Sequence, residues 1–389
     1  MSENELLSNA INAANLSGRF FCKFVSANDV GVNGAHQEGV YLNKKSWSLF
    51  FKEPIPSSGI LDKFVKIHIE NWKDFTSRIV YYSSKKEFRI TQFWTNSPYN
   101  KEELVGALII FIPVSSEDYK VYLFNTEEEI ELFINTFSLS LINNFSIYNK
   151  GFGQPLAIEE TLESQINQTI EFIQDFPNTT EMSKIARNIY MSFYKKKQIN
   201  ADEDLLKWVE TEYTVFRFLE KKIYHNQLMT PFLEIEALLE FANTALNRRK
   251  SRAGKSLEHH VHYIFSSFGL PFDNPGKTEG KKKPDFLFPS TADYMDKKFP
   301  DEMLMMLGAK TTCKDRWRQI LNEANRIPRK HLLTLQQGVS KNQMDEMQTE
   351  NITLVVPKPL HKMYPNEYQH RLWTLTQFIE FVKEKYGVK

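Results

Sequence analysis

A chain of 389 residues with 49 Lys and Arg against 48 Asp and Glu has a net charge of +1, and 41% of its residues are hydrophobic and 25% charged. This ordinary globular composition excludes general disorder, which needs low hydrophobicity and high net charge. It also lacks the strongly basic balance common among dedicated nucleic-acid binders, so any affinity for DNA has to come from local clusters. Two are visible: Arg248, Arg249, Lys250, Arg252 and Lys255, and then Lys277, Lys281, Lys282 and Lys283. At roughly 100–200 residues per domain the length predicts two domains, or three. No apolar run approaches the roughly 20 residues of a membrane span, so no membrane partner is expected. The opening MSENELLSNAINAAN has no basic n-region of a secretory signal. Two cysteines, Cys22 and Cys313, are too few for a disulfide framework or a four-cysteine zinc site, and a cytoplasmic setting is the default expectation.

The first third reads as strands. RFFCKFVSA, KFVKIHIEN, SRIVYYSS, EFRITQFW, GALIIFIPV and YKVYLFN are short and rich in β-branched and aromatic residues, with turn residues between them. Val65, Ile67 and Ile69 alternate with Lys66, His68 and Glu70, as one buried face of a strand requires. Such spacing fits a mainly-β barrel or pseudobarrel. TEEEIELFINTFSL then reads as a helix with Thr126 as N-cap and Glu127, Glu128 and Glu129 in its first turn. The Asn-, Gly- and Pro-bearing stretch that follows reads as a linker, which divides the chain into residues 1–145, a linker 146–160 and residues 161–389.

Beyond the linker, IEETLESQINQTIEFIQDF, EDLLKWVETEYTVFRFLEKKIYH and FLEIEALLEFANTALNRR are amphipathic and free of Pro and Gly, hence helices. After Ser251 the order is helix (SLEHHVHYIFSSF), strand (DFLFP), strand (EMLMMLGAK), helix (CKDRWRQILNEANRI), strand (HLLTL), helix (KNQMDEM), strand (ITLVVP) and helix (LTQFIEFVKEKY). That alternation predicts an α/β domain with a central mixed sheet and flanking helices.

The informative stretch runs from Gly280 to Glu323. KKKPDFLFP places Asp285 at the head of an apolar strand, and MLMMLGAK brings Lys310 to the end of another. A carboxylate and a lysine on neighbouring strands are the core of metal-dependent phosphodiester hydrolysis. The carboxylate holds Mg²⁺ and the lysine orients water or stabilises developing charge. The acid expected two residues before the lysine in this PD…(D/E)xK pattern is Gly308. A second carboxylate is therefore needed. On a helix after Lys310, Arg316, Ile320 and Glu323 share a face, and Glu323 would project back to the metal.

These residues carry a resemblance. SRAGKSLEHH, TEGKKKPDFLFPS and AKTTCKDRWRQILNEA resemble the EcoRII restriction endonucleases and, more distantly, the SsoII-type enzymes. FFCKFVSANDVGVNGAHQEGVYLNK resembles the EcoRII N-terminal effector-binding domain, a DNA-binding pseudobarrel of the plant "B-three" type. The resemblance implies a two-domain, Mg²⁺-dependent type II restriction endonuclease with an α/β restriction-endonuclease-like catalytic domain. Asp285, Lys310 and Glu323 would be catalytic, with Asp285, Glu323 and Glu258 about the metal. TTCKDR would enter the major groove: Asp315 suits cytosine N4, and Lys314 and Arg316 suit guanine O6 and N7, matching a family that reads CC and GG halves such as CCWGG. Arg252 would contact target phosphates, and Trp208 is a candidate partner for a flipped base, set against its commoner role in helix packing. Effector DNA would meet Ser26, Asn28, Asp29, His36 and Tyr41 on one arm and Lys86, Arg89, Gln92 and Trp94 on a second. The second arm departs from the family in its QFWTNSPYN continuation. The implied partners are double-stranded DNA at a target and an effector site, a second copy of the chain, and a cognate DNA methyltransferase. In this scheme the N-terminal domain inhibits cleavage until effector DNA binds. A catalytically silent DNA-binding protein, or one reading a methylated or altered site, is the alternative.

His259, His260 and His262 invite a metal reading, but without a third well-placed ligand they read as packed or exposed side chains. Cys313 has no His/Asn partner pattern and reads as a packing or groove-side residue.

Overall fold

The computed structural model describes residues 3–33, 39–140, 142, 144–150 and 160–388. The chain divides into two compact units. The first comprises Met1–Pro155 with Gln336–Asp345 and Leu360–His370, and the second Leu156–Leu335 with Glu346–Pro359 and Arg371–Lys389.

The first unit is built on eight strands: β1 Arg19–Phe24, β2 Val40–Tyr41, β3 Ile60–Ile69, β4 Phe75–Tyr82, β5 Glu87–Thr91, β6 Leu108–Pro113, β7 Asp118–Phe124 and β8 Phe145–Asn149. Their order in the sheet is β2-β5-β4-β3-β7-β6-β1-β8. All neighbours run antiparallel except β3 and β7. Alternation sorts β1 onto two cores. Phe20, Cys22 and Phe24 join Leu108, Ile110 and Phe124 beneath two helices. Phe21 joins Ile109, Phe111, Val121 and the aromatics Trp47, Phe50 and Phe88 on the opposite face.

The covering helices are Glu3–Ser17, which buries Leu7, Ala10 and Ala14, and Glu127–Phe137, which buries Ile130, Phe133 and Phe137. The second begins as expected at Thr126, where Thr126 and Glu129 form a complete capping box. The N-terminal helix was not anticipated. Strand β8 corrects the linker reading. Its Tyr148 pairs with Phe20 in register and stacks on it at 5.0 Å; flanking Asn and Gly residues hide a strand whose partner lies over a hundred residues away.

The second unit opens with four longer helices, Glu160–Ile170, Thr179–Phe193, Ala201–Ile223 and Ile235–Ser267, with a short one at His225–Met229 before the last; the first three share a core that includes Ile166, Met182, Val215, Phe216 and Leu219. The helix at 179–193 went unread in the sequence. The last of the four is one continuous helix of 33 residues, where two were expected on either side of Ser251. No proline interrupts it, and Gly254 is tolerated at modest cost.

Its sheet is β9 Phe286–Phe288, β10 Met305–Lys310, β11 Lys330–Thr334 and β12 Ile352–Val355, in the order β12-β11-β10-β9. The β10, β11 and β12 strands run parallel and β9 antiparallel, so the sheet is mixed as expected. The closing helix Leu375–Tyr386 is anchored at its N-terminus by Asp202, whose carboxylate accepts from the backbone N–H of Lys358, Leu375 and Thr376.

Candidate active site

The antiparallel register of β9 on β10 places Leu307 opposite Phe286. One step further along the same ladder, Asp285 arrives beside Gly308 and Ala309. Its Oδ2 accepts from the Ala309 N–H at 2.7 Å and from Lys310 Nζ at 2.9 Å. Asn274 steadies the strand entry by donating from Nδ2 to the Asp285 carbonyl at 2.6 Å. The pair predicted from the PD…K spacing is therefore assembled, and it sits at the site surface, with side chains 14% and 22% exposed.

Glu323 reaches this neighbourhood by a different route from the one expected. The segment after Lys310 is not an α-helix: Arg316–Asn322 is a 3-10 helix, and Glu323 is its C-cap in an extended conformation. Ile320, expected to share a face with Arg316 and Glu323, is instead fully buried beside Trp317, and the i, i+4, i+7 argument for Glu323 fails. The 3-10 segment packs on β10 at Gly308. A Cβ on Gly308 would stand 2.9 Å from Ile320 Cγ2, so the 3-10 segment lies directly on the position where the pattern expects an acid. Close packing removes the room for that acid, and the chain supplies a carboxylate three residues beyond Ile320 instead.

Burial, and then the Asp285 charge, push the Glu323 carboxyl up to about 7, while Lys310, Lys330 and Lys282 pull it down. Glu323 Oε2 is buried without a hydrogen-bond partner. Glu258, on the long helix, is raised first by burial and also by Asp285. Its carboxylate, however, is turned to Lys255, which contacts both oxygens at 3.0 and 2.8 Å. Among the described residues no three His, Cys, Asp or Glu side chains stand close enough together to hold a metal. The three-carboxylate set is thus not assembled. Asp285 and Glu323 interact electrostatically, and carboxylate oxygens are the donor type that a hard divalent cation takes.

The expected DNA-contacting residues divide sharply. Asp315 is exposed and Arg316 half-buried, but Lys314 is buried. A groove contact by Lys314 therefore requires this segment to rearrange. Trp208 is fully buried against His260 and Tyr263, so it is a packing residue and no partner for a flipped base. Arg252 lies over the rings of Tyr213 and Phe216, and its guanidinium serves the helical core. Both other arginines of that basic cluster are similarly occupied: Arg248 contacts Tyr224 and lies over Phe176, and Arg249 pairs with Glu220. Of the histidines, His260 is fully buried, 3.0 Å from Glu212, His259 is half-buried and meets Thr179 Oγ1, and His262 is exposed and meets Asn274.

In the first unit Asp29 is a fully buried hub. It accepts from Lys23 Nζ with both oxygens at 2.7 Å, and from Ser26 N, Ser26 Oγ and Tyr41 N. Trp94 Nε1 donates to the Asp29 carbonyl at 2.8 Å, so both supposed DNA arms close on one residue. Ser26, Asp29, Arg89 and Trp94 are buried; they build the arms and are not displayed by them. Arg89 pairs with Glu87 and lies over Tyr82. Tyr41 is half-buried, and Asn28, Lys86 and Gln92 remain exposed. Lys86 and Gln92 flank β5 with positive φ, 53° and 63°. His36 lies outside the described residues.

Comparison with known proteins agrees with this architecture. Residues 14–140 match the family model described as restriction endonuclease EcoRII, N-terminal, and residues 216–379 the one described as EcoRII C terminal. Over 381 residues the chain is 36% identical to the type II restriction enzyme EcoRII of Escherichia coli, covering 92% of each. This chain belongs to the EcoRII family of type II restriction endonucleases. It is also 27% identical to the type II restriction enzyme SsoII of Shigella sonnei over 156 residues, 38% of this chain and 49% of that one. Among solved structures, the restriction endonuclease PspGI–substrate DNA complex aligns at a TM-score of 0.44 with 15% identity, covering 60% of this chain and 98% of that one. Metal-depleted Ecl18kI in complex with uncleaved, modified DNA aligns at 0.44 with 18% identity, covering 58% and 83%. Among the described residues no helix is long and apolar enough to cross a membrane.

Proposed function

We propose that the chain is a Mg²⁺-dependent endonuclease that hydrolyses double-stranded DNA at a CC/GG-flanked site such as CCWGG. The observation that carries this reading is the Asp285 carboxylate seated on the Ala309 N–H and Lys310 Nζ, within electrostatic reach of the half-buried Glu323. Mg²⁺ held by Asp285 and Glu323 would supply Lewis acidity at the scissile phosphate and a more acidic water. The ammonium of Lys310, neutralised by Asp285 in this structure, is placed to stabilise charge developing on a phosphate oxygen. Asp315 and Arg316 present an acceptor and a donor that suit C·G pairs. A homodimer would bring one such site to each strand of a two-fold-symmetric target. The first unit would bind a second DNA copy through Asn28, Tyr41, Lys86 and Gln92. It would inhibit cleavage until that copy binds, which requires effector DNA to favour the cleavage-competent arrangement. A cognate methyltransferase would protect host sites.

The test is digestion of unmethylated plasmid carrying several CCWGG sites, with Mg²⁺ or with EDTA, beside Lys310→Ala. Fragments that map to those sites, require Mg²⁺ and vanish in the variant are expected. Intact plasmid from a folded, DNA-binding protein would overturn the proposed target or the activity, and a random-sequence cleavage library would separate the two.

A further inference from the structure

Glu323 owes its position to a turn that the local sequence does not favour. The residue after it, Ala324, has φ +51°, a left-handed conformation unfavourable for a residue with a Cβ. The turn is closed by the Ile327 N–H on the Ala324 carbonyl at 2.9 Å. Two lysines grip it from either side of Glu323. Lys330, the first residue of β11, is buried and donates from Nζ to the Ala324 carbonyl at 3.2 Å and the Ile327 carbonyl at 2.8 Å. Lys282, three residues before Asp285, donates to the Asn322 carbonyl. Among the described residues neither ammonium hydrogen-bonds a carboxylate.

We propose that Lys330 and Lys282 form a positioning clamp that holds the Glu323 carboxylate against Asp285 for divalent-cation binding. The backbone carbonyls on each side of Glu323 are pinned by donors from two separate segments: Lys282, at the end of the 3-10 turn Glu279–Lys281 that precedes Asp285, and Lys330, the first residue of β11. An α-helix would set Glu323 through its own backbone ladder; here the segment is 3-10 and ends at Glu323, so the clamp takes over that task.

The proposal rests on Glu323 being a metal ligand, and the test separates the two claims. Mn²⁺ is titrated into the full-length protein without DNA, and free ion is followed by its electron paramagnetic resonance signal. Glu323→Gln, Lys330→Met and Lys282→Met are each expected to weaken binding by about tenfold. Adding Lys330→Met to Glu323→Gln is expected to change nothing beyond about twofold, because both act through one carboxylate. Unchanged affinity in Lys330→Met and Lys282→Met, with Glu323→Gln weakened, would overturn the clamp. So would losses that add in full in the double variant, which would mark a general effect on the fold. Unchanged affinity in Glu323→Gln would instead overturn its role as ligand, and the clamp with it. Thermal unfolding identifies any variant that fails to fold. If Lys330→Met is one, Lys282→Met, at a half-buried lysine, decides by the same comparisons.

Discussion

Each unit contains an aspartate bonded to a lysine, and the two pairs differ in how far their lone pairs are used. Asp29 is 0% exposed and takes donors on both oxygens, from Lys23, Ser26 and Tyr41. Asp285 is 14% exposed in its side chain, and both of its described donors converge on Oδ2. A saturated, buried carboxylate is a structural joint: any ligand would have to displace hydrogen bonds already made. A partly exposed carboxylate with unused acceptor capacity is available for chemistry. Both aspartates were candidates for function from their surroundings in the sequence, and only saturation and burial tell them apart.

That contrast breaks if Asp29→Ala is tolerated. Removing one partner leaves the Lys23 ammonium buried and unpaired, which costs on the order of 3–5 kcal/mol. Chemical denaturation followed by tryptophan fluorescence is expected to show that loss in the first unit. Lys310→Ala should do the reverse. Cleavage is expected to fall on the order of 10²–10³-fold, while stability moves by about 1 kcal/mol or less, since the pair is partly solvated. A matching collapse in stability would make Asp285–Lys310 a second structural joint.

The pH dependence of folding sharpens the comparison within the catalytic sheet. His331, on β11, is buried among Trp373, Phe378 and Phe381, and burial pushes it down to about 4. Its folded value lies below its ordinary value, so the unfolded chain binds the proton more readily. The contribution of neutral His331 is complete above about pH 6.5 and is lost as pH falls from there towards about 4. The loss is on the order of 3 kcal/mol. Urea titrations of the protein and of His331→Leu between these limits are expected to differ in slope, with the variant flatter. Equal slopes would place the acid-sensitive group elsewhere.

A smaller effect is expected at Gly308. Gly308→Glu restores the acid of the usual pattern but forces Ile320 to move, at roughly 1–3 kcal/mol for overpacking. A melting temperature unchanged from that of the parent would show that the 3-10 segment yields easily. The smallest is Asn28→Ala, an exposed residue expected to leave stability within about 0.5 kcal/mol while weakening effector-duplex binding. No change in binding would remove Asn28 from the effector surface.

Much of the molecule was readable before folding. The N-cap at Thr126, six of the eight described strands of the first unit, and the strands of the mixed sheet follow from local residue pattern. So does the Asp285–Lys310 pair, because an antiparallel register on β10 is the short route from PDFLF to LGAK. The N-terminal helix, the helix at 179–193, the two-residue β2 and β8 were missed. For β8 the reason is non-local: NFSIYN looks like linker until β1 is there to pair with it.

The sequence by itself determined which side chains were available: a carboxylate at a strand head, a lysine at a strand end, and a glycine where an acid was expected. Tertiary structure decided which of them are exposed and how they are held. It buried Trp208, Arg89, Trp94 and Asp29, turned Glu258 to Lys255, and set Glu323 on a turn gripped by Lys282 and Lys330. Propensity and periodicity act over one or two turns of chain. Burial and hydrogen-bond saturation depend on residues brought together from distant positions, and no local pattern encodes them.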